Sequence, residues 1–284
     1  MVVFPPREYL ADYLKLLRYR YWLFRVIVTI LLGKNKRDEI YRKHDFSFLS
    51  CSRSKPQKTP AGFLCLPRDS TDDFELLFMP REKKVQPYLK INDAEIFVDV
   101  GANVGYYSLK NANEHRDDEI RVIAVEANKE NFEALVRNVK CNKFINIVCI
   151  NKAVSDTKGF GTLYKHQKNG LNLCGRSSLV YKNNESNQPS NYDQQIETVE
   201  MDTLDNILDS LGIKKVDLIK IDVEGAEITV LEGSKETLKN VQRLVIEIHG
   251  DNLPKVKHIL HKYKFFLEEL RDDMQKEVYV YAHR

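Results

Sequence analysis

From residue 95 onward, short apolar runs alternate with segments whose apolar residues recur at helical spacing. Five runs rich in Val and Ile predict strands, at residues 95–100, 121–127, 145–150, 216–223 and 243–249. Helices are predicted after Asn103 and at residues 129–141, 228–238 and 254–263. The last two runs, FFLEEL and EVYVYAH, predict an antiparallel hairpin. Strands and helices that alternate in this way favour an α/β fold with a mostly parallel sheet covered on both faces.

The pattern is less regular outside these elements. Residues 8–32 predict a helix with apolar and aromatic residues on most faces and Arg and Lys between them. Residues 34–60 are polar and basic and predict a linker. Two further short strands are predicted at 62–66 and 74–78, and the polar segment 159–198 is predicted to form a long loop.

Charge is unevenly distributed along the 284 residues. The formal net charge is +3, but residues 1–60 contain 13 Lys and Arg against 5 Asp and Glu, and the rest of the chain has 31 against 36. We therefore predict a basic, largely helical extension at 1–60 and a mildly acidic domain at 61–284. An acidic domain does not favour a nucleic-acid groove, so no nucleic-acid partner is expected. The helix at 8–32 is expected either to pack on the domain or to lie on an anionic membrane surface.

The cysteine and hydropathy patterns bear on the cellular compartment. Five cysteines, odd in number and without CxxC spacing, favour neither a disulfide framework nor a zinc site. The most apolar N-terminal run, at residues 26–32, lies too deep in the chain for a signal peptide. That run is also shorter than the stretch of about 20 apolar residues that a membrane-spanning helix needs. A cytoplasmic protein is predicted, with peripheral membrane contact through the extension left open.

The stretch FVDVGANVGYYS, at residues 97–108, joins the first predicted strand to the first predicted helix. Gly101 and Gly105 allow the backbone to turn tightly and to approach a ligand closely. A dinucleotide-binding loop has the pattern G-x-G-x-x-G, but here Asn103 replaces the middle glycine and the last glycine comes one residue early. Asp99, two residues before the loop, is poorly placed for a pyrophosphate but suits a cationic cofactor. S-adenosylmethionine (SAM) is such a cofactor.

The second predicted strand provides a further part of the cofactor site. Glu126 lies 25 residues after Gly101, where a carboxylate can accept hydrogen bonds from both hydroxyls of a ribose. This feature alone indicates an adenosyl cofactor and does not separate NAD from SAM. Asn128 is predicted to assist at the ribose, and Asn151, after the third strand, to lie near the adenine.

Four segments resemble the FkbM family of SAM-dependent methyltransferases: VDVGANVGYYS, VEANKENFEALVRNV, VEMDTLDNIL and LIKIDVEGAEITVLEG. The resemblance runs from about residue 93 to residue 249 and is most specific in IDVEGAE. It implies a class I methyltransferase fold, which is Rossmann-like and has a seven-stranded sheet with an antiparallel last strand. It also implies SAM as the cofactor and O-methylation, often of a sugar hydroxyl. The basic extension lies outside the resemblance.

Methyl transfer to a hydroxyl requires a group that takes the hydroxyl proton. Asp222 and Glu224 follow the fourth predicted strand and His249 ends the fifth, so all three are expected at the edge of the sheet that holds the glycine loop. His249 is predicted to be the catalytic base, because imidazole is well matched to proton transfer near neutral pH. Glu247 is expected to orient His249 or to act directly. These four side chains would also suit Mg or Mn, but the sequence does not show that they converge, and no metal is predicted.

Three other functions share part of the pattern. Enzymes that methylate the amines of nucleic-acid bases have an N/D-P-P-Y/F motif after the fourth strand, where this chain has D-V-E-G. A dehydrogenase needs a third glycine at the proper spacing. A non-catalytic SAM-binding module would have a damaged cofactor loop. We therefore predict an O-methyltransferase that acts on a hydroxyl of a sugar or glycoconjugate, so that its partner is a small molecule or a glycan. The alternatives left open are methylation of protein, methylation of another small molecule, and non-catalytic SAM binding.

Overall fold

A computed structural model describes residues 56–68, 71–78, 82–92, 95–116, 120–168, 171–179, 192–271 and 278–284. The predicted helix at 8–32 and its membrane contact lie outside these residues. Within them, no helix is long and apolar enough to cross a bilayer.

The described strands are β1 Gln57–Lys58, β2 Leu64–Cys65, β3 Ile96–Val100, β4 Arg121–Val125, β5 Ile147–Ile150, β6 Ala153–Val154, β7 Gly159–Lys168, β8 Leu171–Ser178, β9 Tyr192–Asp202, β10 Leu218–Ile221, β11 Arg243–Ile248, β12 Phe266–Arg271 and β13 Val278–His283. The described α-helices are α1 Asp73–Phe78, α2 Tyr106–Glu114, α3 Lys129–Asn142, α4 Leu204–Ser210, α5 Glu227–Glu232, α6 Thr237–Asn240 and α7 Leu253–Lys262. A short 3-10 helix covers Gln86–Leu89.

The main sheet has seven strands in the order β12-β13-β11-β10-β3-β4-β5. Strands β5, β4, β3, β10 and β11 are parallel to one another, and β13 runs antiparallel between β11 and β12. This confirms the five predicted strands, the terminal hairpin and the antiparallel last strand. The architecture is the predicted class I methyltransferase fold.

Both faces of the main sheet are apolar because its central strands are covered on both sides. Neighbouring residues Phe97 and Leu218 point to one face, together with the buried residues of α2 and α3. The next pair along the strands, Val98 and Ile219, points to the other face and packs with α4, α5 and α7. Because successive strand residues alternate between faces, a strand covered on both sides reads as one continuous apolar run.

Two predictions near residue 75 and residue 230 were wrong in detail. The segment 74–78 is part of helix α1 and not a strand. Phe74, Leu77 and Phe78 have the i, i+3, i+4 spacing of one helical face, and Leu77 and Phe78 are buried. The helix predicted at 228–238 is two helices, α5 and α6, separated by residues 233–236. The end of the predicted linker also forms strand β1, which pairs with β2.

The segment 159–198 was predicted to be a loop, and this was wrong. It contributes β7, β8 and most of β9 to a second sheet with the order β6-β9-β7-β8. Strands β7 and β9 pair in antiparallel register over ten residues, from Gly159 opposite Met201 to Lys168 opposite Tyr192. Leu163 and Val199 are buried in a small apolar cluster of this sheet. Most other residues of its strands are polar. A sheet with so few buried apolar residues lacks the alternation of apolar and polar residues that identifies a half-buried strand in a sequence.

Candidate functional site

The carboxyl ends of β3, β4 and β10 open into a cleft with about 1000 Å³ of empty space, including the part that is open to solvent. Loops that follow these strands form its floor. Leu163 and Ser177 of the second sheet, and Leu179 directly after β8, contribute to its wall. The cleft therefore lies where ligands bind in parallel α/β sheets.

The glycine loop forms one side of the cleft. Gly101 has a φ of +78°, and a Cβ placed on it would lie 1.8 Å from the carbonyl oxygen of Asp222. Gly105 has a φ of +94° and directly precedes α2. Asn103 lines the cleft with a φ of +52°, and its Oδ1 is buried without a hydrogen-bond donor among the described residues. The loop thus turns tightly at Gly101, and the Asn103 Oδ1 atom at its centre can accept a hydrogen bond from a ligand.

Asp99 lies behind this loop, and it is not among the described residues that line the cleft. It is 1% exposed and accepts a hydrogen bond of 2.7 Å from Ser108 Oγ. The Lys220 ammonium is 3.6 Å from Asp99 Oδ1. In the ligand-free protein Asp99 therefore holds the base of the loop, and direct contact with the cofactor stays a prediction.

Glu126 lines the cleft at the end of β4. Its two carboxylate oxygens accept hydrogen bonds from the backbone N–H groups of Asn103 and Asn128, at 2.8 and 2.9 Å. Burial raises the pKa of Glu126 to about 7, although these two backbone hydrogen bonds lower it. The carboxylate is fixed toward the glycine loop, as a ribose acceptor would be.

The two asparagines assigned to the cofactor have structural contacts in the ligand-free protein. Asn128 Oδ1 caps α3 by accepting from the N–H groups of Glu130 and Asn131, and Asn128 Nδ2 donates to Ser177 Oγ at 3.1 Å. Asn151 Nδ2 donates to the backbone oxygens of Glu126 and Ala127, at 2.9 and 3.1 Å. Both side chains hold the end of β4 in place. Neither is among the described cleft-lining residues, and their contacts with a cofactor stay predictions.

The three predicted catalytic residues lie close together at the carboxyl edge of the sheet. Asp222 and Glu224 line the cleft, and His249 lies next to them but is not among the described cleft-lining residues. One ligand atom from each of Asp222, Glu224 and His249 lies within 4.8 Å of the other two. His249 Nε2 is 3.5 Å from Glu224 Oε2 and 3.7 Å from Glu247 Oε1. Glu224 has a φ of +53°, an uncommon conformation for a residue with a side chain. The loop after β10 and the end of β11 thus bring together groups that are far apart in the sequence.

Glu227 fixes the imidazole from behind. It is completely buried, and its Oε1 is 2.8 Å from His249 Nδ1 and 2.8 Å from the N–H of Gly225. Burial lowers the pKa of His249, but the hydrogen bond to Glu227 and the charge of Glu224 outweigh it, and the pKa rises to about 9. A general base works best with a pKa near the working pH, so this value does not favour His249 as the base at neutral pH. The base assignment stays a prediction.

Lys220 is a site residue that the sequence analysis missed. Its side chain is 6% exposed, and its ammonium is 3.1 Å from Asp222 Oδ2 and 5.3 Å from the centre of the Tyr107 ring. Burial alone would lower the pKa of Lys220, but Asp222 and Asp99 raise it. The sequence signal for Lys220 was its position within the otherwise apolar strand LIKI, because a lysine buried in a sheet needs acidic partners.

Glu247 adds a further carboxylate to this side of the cleft. Burial, followed by the charge of Asp222, raises the pKa of Glu247 well above its usual range. A raised pKa favours the protonated form, in which a carboxyl group can donate a hydrogen bond as well as accept one. The group is thus suited to contact a hydroxyl.

Strand β8 contacts both the loop after β4 and the loop after β10. Ser178 Oγ donates a 2.7 Å hydrogen bond to the backbone oxygen of Glu224, and Ser177 accepts from Asn128. Both serines lay in the predicted loop. Because β8 contacts the cofactor edge and the acidic edge together, the second sheet is part of the site.

The sheet order, the glycine loop and the acidic residue at the end of β4 define a class I methyltransferase. Residues 99–281 match the Methyltransferase FkbM domain, so the chain belongs to the FkbM methyltransferase family. This confirms the family resemblance, and SAM is the cofactor of this methyltransferase domain.

The chain is also similar to individual known proteins. It is 25% identical over 173 residues to the methyltransferase sdnD of Sordaria araneosa, covering 53% of this chain and 64% of sdnD. The crystal structure of an FkbM methyltransferase from Methylobacillus flagellatus KT has 16% identity and a TM-score of 0.48, with 68% of this chain and 44% of that protein covered. A precorrin-6y C5,15-methyltransferase from Geobacter metallireducens has 12% identity and a TM-score of 0.45, with coverage of 72% and 90%. The chain thus spans less than two thirds of sdnD and of the Methylobacillus protein.

Proposed function

We propose that this protein transfers the methyl group of SAM to a hydroxyl group of a sugar or glycoconjugate. The observation that carries the proposal is that Asp222 and Glu224, with His249 close to both, line the same cleft as the glycine loop. The two parts are in backbone contact, since the peptide of Asp222 abuts Gly101. A cofactor held by the loop is therefore next to groups that can bind and deprotonate an acceptor.

Three features of the cleft fit SAM. Because Gly101 has no Cβ, the loop can turn tightly against the Asp222 peptide. The buried Oδ1 of Asn103 accepts no hydrogen bond from the described residues. Glu126 is held toward the loop as an acceptor for ribose hydroxyls. When bound, SAM supplies a methyl group bonded to a positively charged sulfur, and the carbon–sulfur electron pair returns to sulfur as the methyl passes to an oxygen lone pair.

The protein's own contribution to this reaction is to orient the acceptor and to take its proton. Asp222, Glu224 and Glu247 all line the cleft and can hydrogen-bond a hydroxyl group. We assign the hydroxyl proton to these three carboxylates as a group, with His249 held beside them by Glu227. Several carboxylates side by side suit an acceptor that carries several hydroxyls, as a sugar does.

Transfer of labelled methyl groups tests the proposal. Radiolabelled SAM and the purified protein are incubated with a cell extract, which is then separated into glycan, lipid, protein and nucleic-acid fractions. We expect label in the glycan or glycolipid fraction, with the Glu126→Ala variant as the background control. Label confined to protein or nucleic acid would overturn the acceptor class, and no label above background in any fraction would favour a non-catalytic SAM-binding module.

A further inference from the structure

We propose that Asp222, Glu224 and His249 form a binding site for a divalent metal ion, which holds the hydroxyl of the methyl acceptor. The metal site itself stands on geometry alone. Its role in catalysis rests on the proposed function above.

The spacing of the three side chains fits one ion. Hard divalent cations bind oxygen ligands at about 2.0–2.6 Å, so two ligands of one ion lie at most about 4–5 Å apart. The three ligand atoms all lie within 4.8 Å of one another, and His249 Nε2 is 3.5 Å from Glu224 Oε2. The ligands come from two different loops, one after β10 and one after β11.

The surroundings of His249 provide a second, independent indication. An imidazole that binds a metal commonly gives its other nitrogen to a carboxylate, which fixes the orientation of the ring. Here the completely buried Glu227 holds Nδ1 at 2.8 Å, and Asn252 Nδ2 holds Glu227 in turn at 2.5 Å. This leaves Nε2 directed toward Glu224 and Glu247 in the cleft. The buried Glu227 and the half-buried Asn252 are thus arranged as the outer support of a metal ligand.

The donor set indicates the kind of ion. Two carboxylates and one imidazole suit Mg²⁺ or Mn²⁺, and the ion replaces the proton on Nε2 as it binds. Such an ion lowers the pKa of a hydroxyl that it coordinates. The hydroxyl proton then passes to Glu247, the cleft carboxylate that does not bind the ion, and the resulting oxygen anion accepts the methyl group.

Binding of Mn²⁺ tests this site directly, because free Mn²⁺ gives an electron paramagnetic resonance signal that is lost on binding. The protein is freed of metal with EDTA, dialysed, and titrated with Mn²⁺ with and without SAM. We expect one site per chain, at least tenfold weaker in Asp222→Asn and Glu224→Gln and about 10–100-fold weaker in Glu227→Gln. Asp251→Asn, which removes an exposed carboxylate two residues after His249, should bind within twofold of the wild type. Circular dichroism melting confirms that each variant is folded.

The outcomes separate the metal site from the proposed function. Absence of saturable Mn²⁺ binding to the wild type, or binding that Asp222→Asn and Glu224→Gln leave unchanged, would overturn the metal site. If hydroxyl methylation also persists in EDTA, the proposed function stands without a metal. If Mn²⁺ binds as expected while no hydroxyl is methylated, the metal site stands and the proposed function fails.

Discussion

Gly101 and Asp222 meet at the carboxyl edge of the main sheet, with the carbonyl oxygen of Asp222 1.8 Å from where a Cβ of residue 101 would lie. The N–H of Asp222 also donates to the carbonyl oxygen of Val100 at 3.0 Å. The loop predicted to hold SAM and the loop that carries the acidic cluster are therefore joined through their backbones. A change in one loop is expected to disturb the other.

Replacement of Gly101 tests this contact. Gly101→Ala should lower the free energy of unfolding by about 2–4 kcal/mol and weaken SAM binding at least tenfold, because the backbone is strained and the Asp222 peptide must move. Urea unfolding and calorimetry measure the two effects. Gly212→Ala is the matched control, since Gly212 has a φ of +69° but open space around it, and it should cost about 1 kcal/mol with unchanged affinity. Equal costs for both variants would contradict the account.

The pKa of Glu126 predicts how SAM affinity depends on pH. Ribose hydroxyls donate to an ionised carboxylate, so binding favours loss of a proton from a group whose pKa is about 7 in the ligand-free protein. Below pH 7 the Kd for SAM should therefore rise by up to about tenfold per pH unit. Glu126→Gln should bind SAM more weakly than the wild type at pH 8, and its Kd for SAM should not show this rise below pH 7. Calorimetry from pH 5.5 to 8.5 measures both proteins, and parallel pH profiles would rule out the ribose assignment.

The same group affects the stability of the ligand-free protein in the opposite direction from an ordinary carboxylate. The folded pKa of about 7 exceeds the usual 4.5, so between these values the folded state binds more protons than the unfolded state. The free energy of unfolding should accordingly fall as the pH rises from 4.5 through 7. In Glu126→Gln this component should be absent. A wild type whose urea midpoint shows the same pH dependence as the variant would refute the raised pKa.

Lys220 is expected to be important for stability. Lys220→Met leaves Asp99 and Asp222 without a cation that lies 3.6 and 3.1 Å from them, and loss of one partner of a buried ion pair typically costs about 3–5 kcal/mol. Lys215→Met, which removes an exposed lysine 3.0 Å from Asp217, should cost less than about 1 kcal/mol. Urea unfolding compares the two variants. A loss below 1 kcal/mol for Lys220→Met would show that this cation does not balance the buried acids.

His249 should matter for the reaction and not for cofactor binding. His249→Asn is predicted to lower the single-turnover rate at least about 100-fold while the Kd for SAM stays within twofold, because the ring lies in the acidic cluster away from the glycine loop. His261→Asn, on the exposed side of α7, is the control and should leave both quantities unchanged. A His249→Asn protein with near-normal turnover would remove His249 from both the base and the metal-ligand roles.

The sequence predicted the parts of the structure that depend on continuous apolar runs and on glycine. The five parallel strands, the terminal hairpin and the strand-to-helix position of Gly101 and Gly105 were all readable, because sheet burial and tight turns each restrict residue type. Helix α1 was misread since a short apolar segment fits either period. Strands β7 to β9 were missed because only a few residues, such as Leu163 and Val199, face a core.

The site was predictable in its position but not in its contacts. Parallel strands place their carboxyl ends together, so Glu126, Asp222, Glu224 and His249 could be assigned to one edge from the order of the elements. Glu227 is hydrogen-bonded to His249, and Ser178 is hydrogen-bonded to the backbone of Glu224. Both contacts join residues that are distant in the sequence. Contacts of this kind leave no periodic pattern in a single sequence.

The most direct test of the central claim is the identity of the atom that receives the methyl group. The protein is incubated with SAM carrying a ¹³C-labelled methyl group and with the glycan fraction of a cell extract, and the product is examined by carbon–proton NMR. The account predicts a methoxy signal that the Glu126→Ala protein does not produce. A product in which the label appears only on nitrogen or carbon would contradict it.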